Sequence, residues 1–305
     1  MEGGCGVDGV ALAVTVTRVR EILRAATMTD AYRVALTAAL ALPGNILHDV
    51  ADARWARLVW VCCVAAGGRR EDAAPAAAAA EIFMTALDVL DDEEDGEVTP
   101  LRASLGAARM LNVSTGLLLL AQHGLLATPK GAVLTDILLV AGVGACAGQH
   151  NDLRAGQDDD GDLDAALAVA AGKSGSLAAA LCRLGAACAE ADADTQDRYA
   201  RFGTTLGTMR QLRNDIAAVQ PGATGKTDIT LRRPTLPLVS AAHMGAISGA
   251  HVTEADMRAI LWADGAALLT WTVAETYRRY ALDLVPTLTA NPDSRAALAL
   301  LLEQH

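Results

Sequence analysis

Aromatic side chains are scarce in this chain, at 3% of 305 residues: two Phe, four Trp and four Tyr. A β-rich fold leans on aromatic and β-branched side chains, so their scarcity in an Ala-dominated sequence argues against sheets and for helices. Positive charge is short as well. The 25 Lys and Arg against 36 Asp and Glu leave a net charge of −11, which argues against a nucleic-acid partner. The six Cys show no CxxC spacing. Four of them lie in apolar helical patterns and read as buried free thiols in a reducing compartment. The start, Met1-Glu-Gly-Gly-Cys-Gly-Val-Asp, lacks the basic residues of a signal peptide. The most apolar stretches, such as Val133–Gly148, fall short of the ~20 residues that span a bilayer, and Asp136 interrupts that one. These absences predict a soluble, cytoplasmic protein without a membrane span.

What remains is helix. Apolar residues recur at helical spacing through residues 11–27, 30–41, 54–66, 73–95, 103–123, 130–149, 162–171, 174–191, 194–220, 235–247, 253–282 and 293–304. Leu42-Pro-Gly44, Gly67-Gly68, Thr99-Pro100 and Pro221-Gly222 punctuate them. No run alternates as a strand does. The pattern predicts a Gly-rich flexible tail over 1–10 and a single all-α domain of about a dozen helices over 11–305, with sites built from side chains on facing helices.

The acid is concentrated. Asp88-Val-Leu-Asp91-Asp92-Glu-Glu-Asp95 ends a long apolar pattern, and Asp88, Asp91, Asp92 and Asp95 share one helix face. The same face carries Met84 and Leu87, so the stripe points inward. Like charges at this spacing repel by roughly 0.2–0.5 kcal/mol per pair, so a multivalent cation is expected to compensate them. Carboxylate oxygens suit Mg²⁺, which takes one or two carboxylates plus substrate phosphates. An EF-hand is excluded, because a loop starting at Asp91 would need Glu where Arg102 stands. Gln211, Asn214, Asp215 and Ala218 share a face of another long helix and offer an acid and amides to a metal shell. The cations Lys173, Lys226, Arg232 and Arg233 lie close in sequence to these segments, and in so acidic a chain they suggest a polyanionic ligand.

Together these segments resemble the trans-isoprenyl diphosphate synthases. Asp91-Asp92-Glu-Glu-Asp95 stands where that family has its first aspartate-rich motif. Gly148-Gln149-x-x-Asp152-Leu153, Lys173-Ser174-Gly-Ser-Leu177 and Gly203-x-x-Leu206-Gly207-x-x-x-Gln211-x-x-Asn214-Asp215 follow in the family's order. Gly225-Lys226-x-Asp228-Ile229 and Thr235-Leu236-Pro237 complete a resemblance over about residues 50–240. It implies the isoprenoid synthase-type helical bundle, a homodimer, and Mg²⁺ held by Asp91, Asp92, Asp95, Asn214 and Asp215. An allylic isoprenyl diphosphate would be gripped by Lys173, Gln211, Lys226, Arg232, Arg233 and Arg102, with Asp91, Asp92, Lys173 and Asp215 in catalytic roles.

The departures sharpen the expectation. The second motif reads Asn214-Asp215-Ile-Ala-Ala218 rather than Asp-Asp-x-x-Asp, and the Gly-Gly-Lys-Arg grip for isopentenyl diphosphate is absent, Arg54 and Arg57 being loose candidates for its role. The paired arginines after the first motif are reduced to Arg102, one position out of step. The resemblance therefore implies a class I prenyltransferase passing an allylic cation to isopentenyl diphosphate or another acceptor. The alternative is a terpene synthase that cyclises or deprotonates the cation, and a third possibility is a non-catalytic partner subunit. Phe83, Trp60 and Trp271 are candidates to line the cation's cavity. Ala86 and Leu87 lie one turn deeper than Asp91, with Phe83 below as a floor, so substrates of C15 or longer are expected. Ala86→Phe should shorten the longest accepted prenyl chain, read by mass spectrometry of products; unchanged chain length would overturn this pocket.

Overall fold

The computed structural model describes residues 3–155, 162–223, 229, 233–245 and 253–303. Lys226, Asp228 and Arg232 lie outside these residues, as do the acids Asp158 to Asp160. Helices account for nearly all regular structure, and no strand occurs among the described residues. In chain order they are α1 (Gly3–Ala25), α2 (Asp30–Leu40), α3 (Arg54–Ala65), α4 (Arg70–Glu94), α5 (Pro100–Leu105), α6 (Ala107–Leu126) and α7 (Gly131–Ala155). Then follow α8 (Leu163–Ala170), a π-helical turn (Ala171–Gly175), α9 (Ser176–Cys188), α10 (Ala193–Ala218), α11 (Leu236–His243), α12 (Glu254–Ala263), α13 (Ala266–Leu288) and α14 (Pro292–Leu300).

Three boundaries differ from the sequence pattern. α1 begins at Gly3, inside the stretch that reads as a tail. The patterns at 103–123 and 253–282 are each two helices, broken at Gly106 (φ 80°) and Gly265 (φ 95°). Periodicity passes through a single left-handed residue unnoticed, because the apolar face resumes almost in phase beyond it. The expected shortness of the apolar stretches is corrected too. Arg70–Glu94, Gly131–Leu153 and Leu163–Cys188 are long and apolar enough, by length and composition, to cross a bilayer. Reading only the most apolar core of each segment underestimated its length, because the helices run on through small and weakly polar residues.

The chain divides into two compact units. The first comprises Met1–Leu139, Leu181–Asp197 and Asn291–Leu298. At its centre α4 is packed against α1, α3 and α6. The run Ala76 to Ala80 is fully buried, and such small side chains let neighbouring helices approach closely. Ser114 donates its hydroxyl to the Ala86 carbonyl at 2.7 Å, tying α6 to α4. Cys62, Cys63, Cys182 and Cys188 are buried free thiols, as expected, whereas Cys146 is exposed.

Glu81 is the unusual core residue of this unit, 1% exposed on α4. The first turn of α3 has Ala53 at its N-cap, which offers no side-chain oxygen to the unpaired amides there. Glu81 replaces it from α4, accepting the Ala56 N–H at 2.7 Å. Burial pushes its carboxyl up to about 8, against the opposing pull of the Ala56 amide and of Arg54.

The second unit comprises Val140–Ala180, Arg198–Ala290 and Ala299–His305. Val219, Ile229, Ala241, Leu261, Ala266 and Ala267 form a core cluster where α11, α12 and α13 meet. Arg210 and Arg213 of α10 donate to the carbonyls of Leu301 and Leu302, capping the end of the α14 segment. Buried Arg258 donates Nε to the Ala218 carbonyl at 3.1 Å and so caps α10.

A carboxyl that binds its proton more tightly folded than unfolded stabilises the fold fully below its unfolded value, and that contribution fades as pH rises through its folded value. For Glu81 the window runs from 4.5 to about 8. Thermal stability should therefore fall across this range, by on the order of a few kcal/mol from this group. Glu81→Gln should flatten the fall, as followed by circular dichroism melts; an unchanged pH slope would contradict the assignment.

Candidate active site

In the first unit the acid stripe forms as the spacing predicts. Asp88, Asp91, Asp92 and Asp95 are all half-buried, Glu94 is exposed, and Phe83 and Ala86 are buried beneath them with Leu87 partly so. The helix stops inside the motif. Asp95 is the C-cap, Gly96 takes φ 71°, Gly96 donates to the Glu93 carbonyl at 3.3 Å and Glu97 donates to that of Asp92 at 2.8 Å. That is a Schellman motif, which requires a left-handed residue where Gly96 stands. The acids thus crowd the negative end of the helix dipole, and the last turn contains no basic residue. Burial, with Glu97, Asp88, Asp91 and Asp95 around it, pushes the Asp92 carboxyl up to about 6. Two cations approach from neighbouring elements. Arg54 reaches Asp88 at 3.8 Å while lying 4.7 Å over the Trp55 ring, and Arg102 donates Nε to Glu93 at 3.0 Å.

In the second unit the π-helical turn places Lys173 on the same carboxylate as Arg233. Asp152 lies 3.9 Å from Lys173 Nζ and 3.8 Å from Arg233. Two cations meet one carboxylate, and Arg233 is buried, where the low dielectric strengthens any interaction with an anion. One turn back on α7, Gln149 is buried, and neither amide atom has a hydrogen-bond partner among the described residues. Such a group in the interior is costly unless something supplies the partner. In the sequence, Gly148-Gln149-x-x-Asp152 stands out only through the family resemblance. The signal that both face one site was their spacing of three residues on a helix.

Beside this group Ser174 donates to Gln211 Oε1, and Gln211 Nε2 donates to Asp215 Oδ1 at 2.9 Å. Ser174 thereby fixes which end of the amide faces Asp215, which is 5% exposed. Asn214 points outward and is exposed, and Ala218 is buried with its carbonyl taken by Arg258. This half of the expected metal site is therefore one buried acid with an ordered amide. The contact depends on Gly207, where a Cβ would stand 2.3 Å from the Ser174 carbonyl oxygen.

Trp271 is 54% exposed on α13, whose buried face runs through Ala267, Thr270 and Ala274. Trp60 is buried, and its ring N–H has no partner among the described residues.

The donor chemistry fits a hard divalent cation: carboxylate oxygens, half-buried, with one carboxyl held high by its neighbours. Among the described residues no three Asp, Glu, His or Cys side chains converge closely enough to hold a metal ion by themselves. A metal here would have to complete its shell with water and ligand oxygens, which is the habit of Mg²⁺.

A model of the polyprenyl synthetase family matches residues 53–255. A geranylgeranyl diphosphate synthase of Mycobacterium tuberculosis is 38% identical over 101 residues, which are 32% of this chain and 29% of that relative's length. Among solved structures, a decaprenyl diphosphate synthase from Rhodobacter capsulatus aligns with TM-score 0.82 at 19% identity, covering 98% of this chain and 97% of that one. A polyprenyl synthase from Caulobacter crescentus, complexed with calcium and isoprenyl diphosphate, aligns with TM-score 0.81 at 24% identity over 96% and 94%. These likenesses establish the all-α isoprenoid synthase fold.

Gly207→Ala should lower stability by roughly 1–3 kcal/mol through the clash with Ser174. Gly144→Ala, in α7 with nothing within 4 Å of its added Cβ, should be neutral or gain up to about 1 kcal/mol. Melting temperatures of the two variants decide this, and equal effects would contradict the close approach.

Proposed function

Because this chain belongs to the polyprenyl synthetase family, we propose that it is a Mg²⁺-dependent class I prenyltransferase acting on an allylic isoprenyl diphosphate of C15 or longer. The observation that carries this reading is the acid stripe at the end of α4. Half-buried carboxylates at the negative end of a helix dipole, one of them raised to about 6, need a multivalent cation and gain nothing by being there without one.

The chain's own residues account for most of the chemistry. Lys173 and Arg233, gathered by Asp152, take the charge of the departing diphosphate, and the resemblance assigns Arg102 a diphosphate-binding role as well. Gln211 and Asp215 complete the polar lining, and Lys226 and Arg232 are assigned to the same grip by resemblance. By resemblance Asp91, Asp92 and Asp95 would hold Mg²⁺, with Asp215 as the remaining acid of the second motif, and a bound ion would supply Lewis-acid neutralisation of the leaving group. The C1–O bond breaks with its electron pair leaving on the diphosphate, and the allylic cation takes a π-electron pair from the acceptor, which then loses a proton. Phe83, Ala86 and Leu87 form the apolar wall that keeps water from the cation.

A terpene synthase is the second reading, favoured by one observation. Arg54, a candidate for the second substrate's grip, is engaged by Asp88 and Trp55. The protein works as a homodimer: Leu111, Leu119 and Leu126 on α6 and Val133 on α7 are exposed at helical spacing, an apolar face that suits a second copy. Buried free thiols support the reducing environment of the cytoplasm.

Incubation with Mg²⁺ and geranyl, farnesyl or geranylgeranyl diphosphate, with and without isopentenyl diphosphate, separates the readings by mass spectrometry. A longer diphosphate is expected only when isopentenyl diphosphate is present. Hydrocarbon or alcohol from one substrate would favour the synthase, and no turnover a partner subunit. Asp91→Ala and Asp92→Ala should each remove at least ~99% of the activity; activity that survives both sinks the metal assignment.

A further inference from the structure

The two glutamates inside the acid motif part company. Glu94 is exposed, whereas the Glu93 side chain is only 5% exposed and sits off the face that Asp88, Asp91, Asp92 and Asp95 share. Its Oε2 accepts the Nε–H of Arg102 at 3.0 Å. Arg102 is anchored at its backbone as well, donating its N–H to Thr99 Oγ1 at 3.1 Å as part of the cap of α5. Its side chain is 26% exposed, so the pair lies under partial cover, where a charge-assisted bond is stronger than on an open surface.

The bond engages one of the five N–H donors of a guanidinium and leaves a planar fork suited to a second anion. An arginine carries several rotatable bonds whose freedom would otherwise be lost when it grips a ligand. A carboxylate that restrains it beforehand removes that loss from the binding step. Glu93 Oε1 is buried and has no hydrogen-bond partner among the described residues, so the carboxylate is held by Arg102 alone at this end of α4.

We infer that Glu93 is a positioning residue: it holds Arg102 ready for the substrate's diphosphate and does not bind metal with the acid stripe. The inference rests on the diphosphate-binding role proposed above for Arg102. It assigns opposite duties to neighbouring acids of one motif. Asp91, Asp92 and Asp95 take the cation, and Glu93 turns away to order an arginine.

The test uses the full chain and inorganic pyrophosphate at saturating Mg²⁺, read by titration calorimetry, so that it does not depend on knowing the acceptor. Arg102→Ala should weaken pyrophosphate binding about tenfold, equivalent to about 1.4 kcal/mol. Glu93→Ala should weaken it comparably while leaving the Mg²⁺ requirement unchanged, and the double variant should be no worse than Arg102→Ala alone. Glu93→Gln, whose amide oxygen can still accept from Nε, should recover most of the loss. That recovery keeps the test decisive if Glu93→Ala folds poorly by circular dichroism. Additive losses in the double variant, or an affinity for Mg²⁺ that falls with Glu93→Ala, would overturn the inference alone. If Arg102→Ala binds pyrophosphate as the wild type does, the role of Arg102 falls and the inference with it.

Discussion

Mutual repulsion among the acids at the end of α4 is the constraint around which the first unit is arranged. Asp91, Asp92 and Asp95 stand where the helix dipole is already negative, on a face continuous with the buried core. An exposed run of acids would relieve this by pointing to water. Here the Ala-rich packing of α4 against α1, α3 and α6 holds the helix in place, and the Schellman turn at Gly96 stops it within the motif. The raised carboxyl of Asp92 is the electrostatic record of that confinement. Packing therefore sustains the repulsion, and the metal role proposed for these acids rests on it.

The second unit gathers positive charge around one carboxylate. Asp152 gathers Lys173 and Arg233 at nearly 4 Å each, close enough to steer both. The π-helical turn moves Lys173 into that position, and Gly207 lets α10 come close enough for Ser174 to order Gln211. Glu81 and Glu93 do related work in the first unit, one on a helix start and the other on an arginine. In both units the acids that touch no metal are as informative as those proposed to.

Much of this was legible from residue order. The helical class, the acid stripe and the family resemblance over about residues 50–240 all follow from short-range spacing, and the family match at 53–255 agrees with them. Spacing failed where a partner lies far along the chain. Nothing near Glu81 or Glu93 in the sequence announces a cap on α3 or a hold on Arg102, and the outward turn of Trp271 depends on which face of α13 is packed. The breaks at Gly106 and Gly265 escaped because a glycine inside an apolar pattern does not declare its φ.

The sequence by itself determined the chemistry: which helix carries the acids, which residue types could meet a metal and a diphosphate, and that Asn214 and Ala218 stand where acids would be expected. Those are properties of residue identity and helical period, both local. Only the tertiary structure decided how these residues are buried and partnered. Burial and hydrogen-bond partners sort Asp92 from Glu93, Asp215 from Asn214, and Asp152 from the surface carboxylates, because the energy of a charge depends on its surroundings more than on its neighbours in sequence.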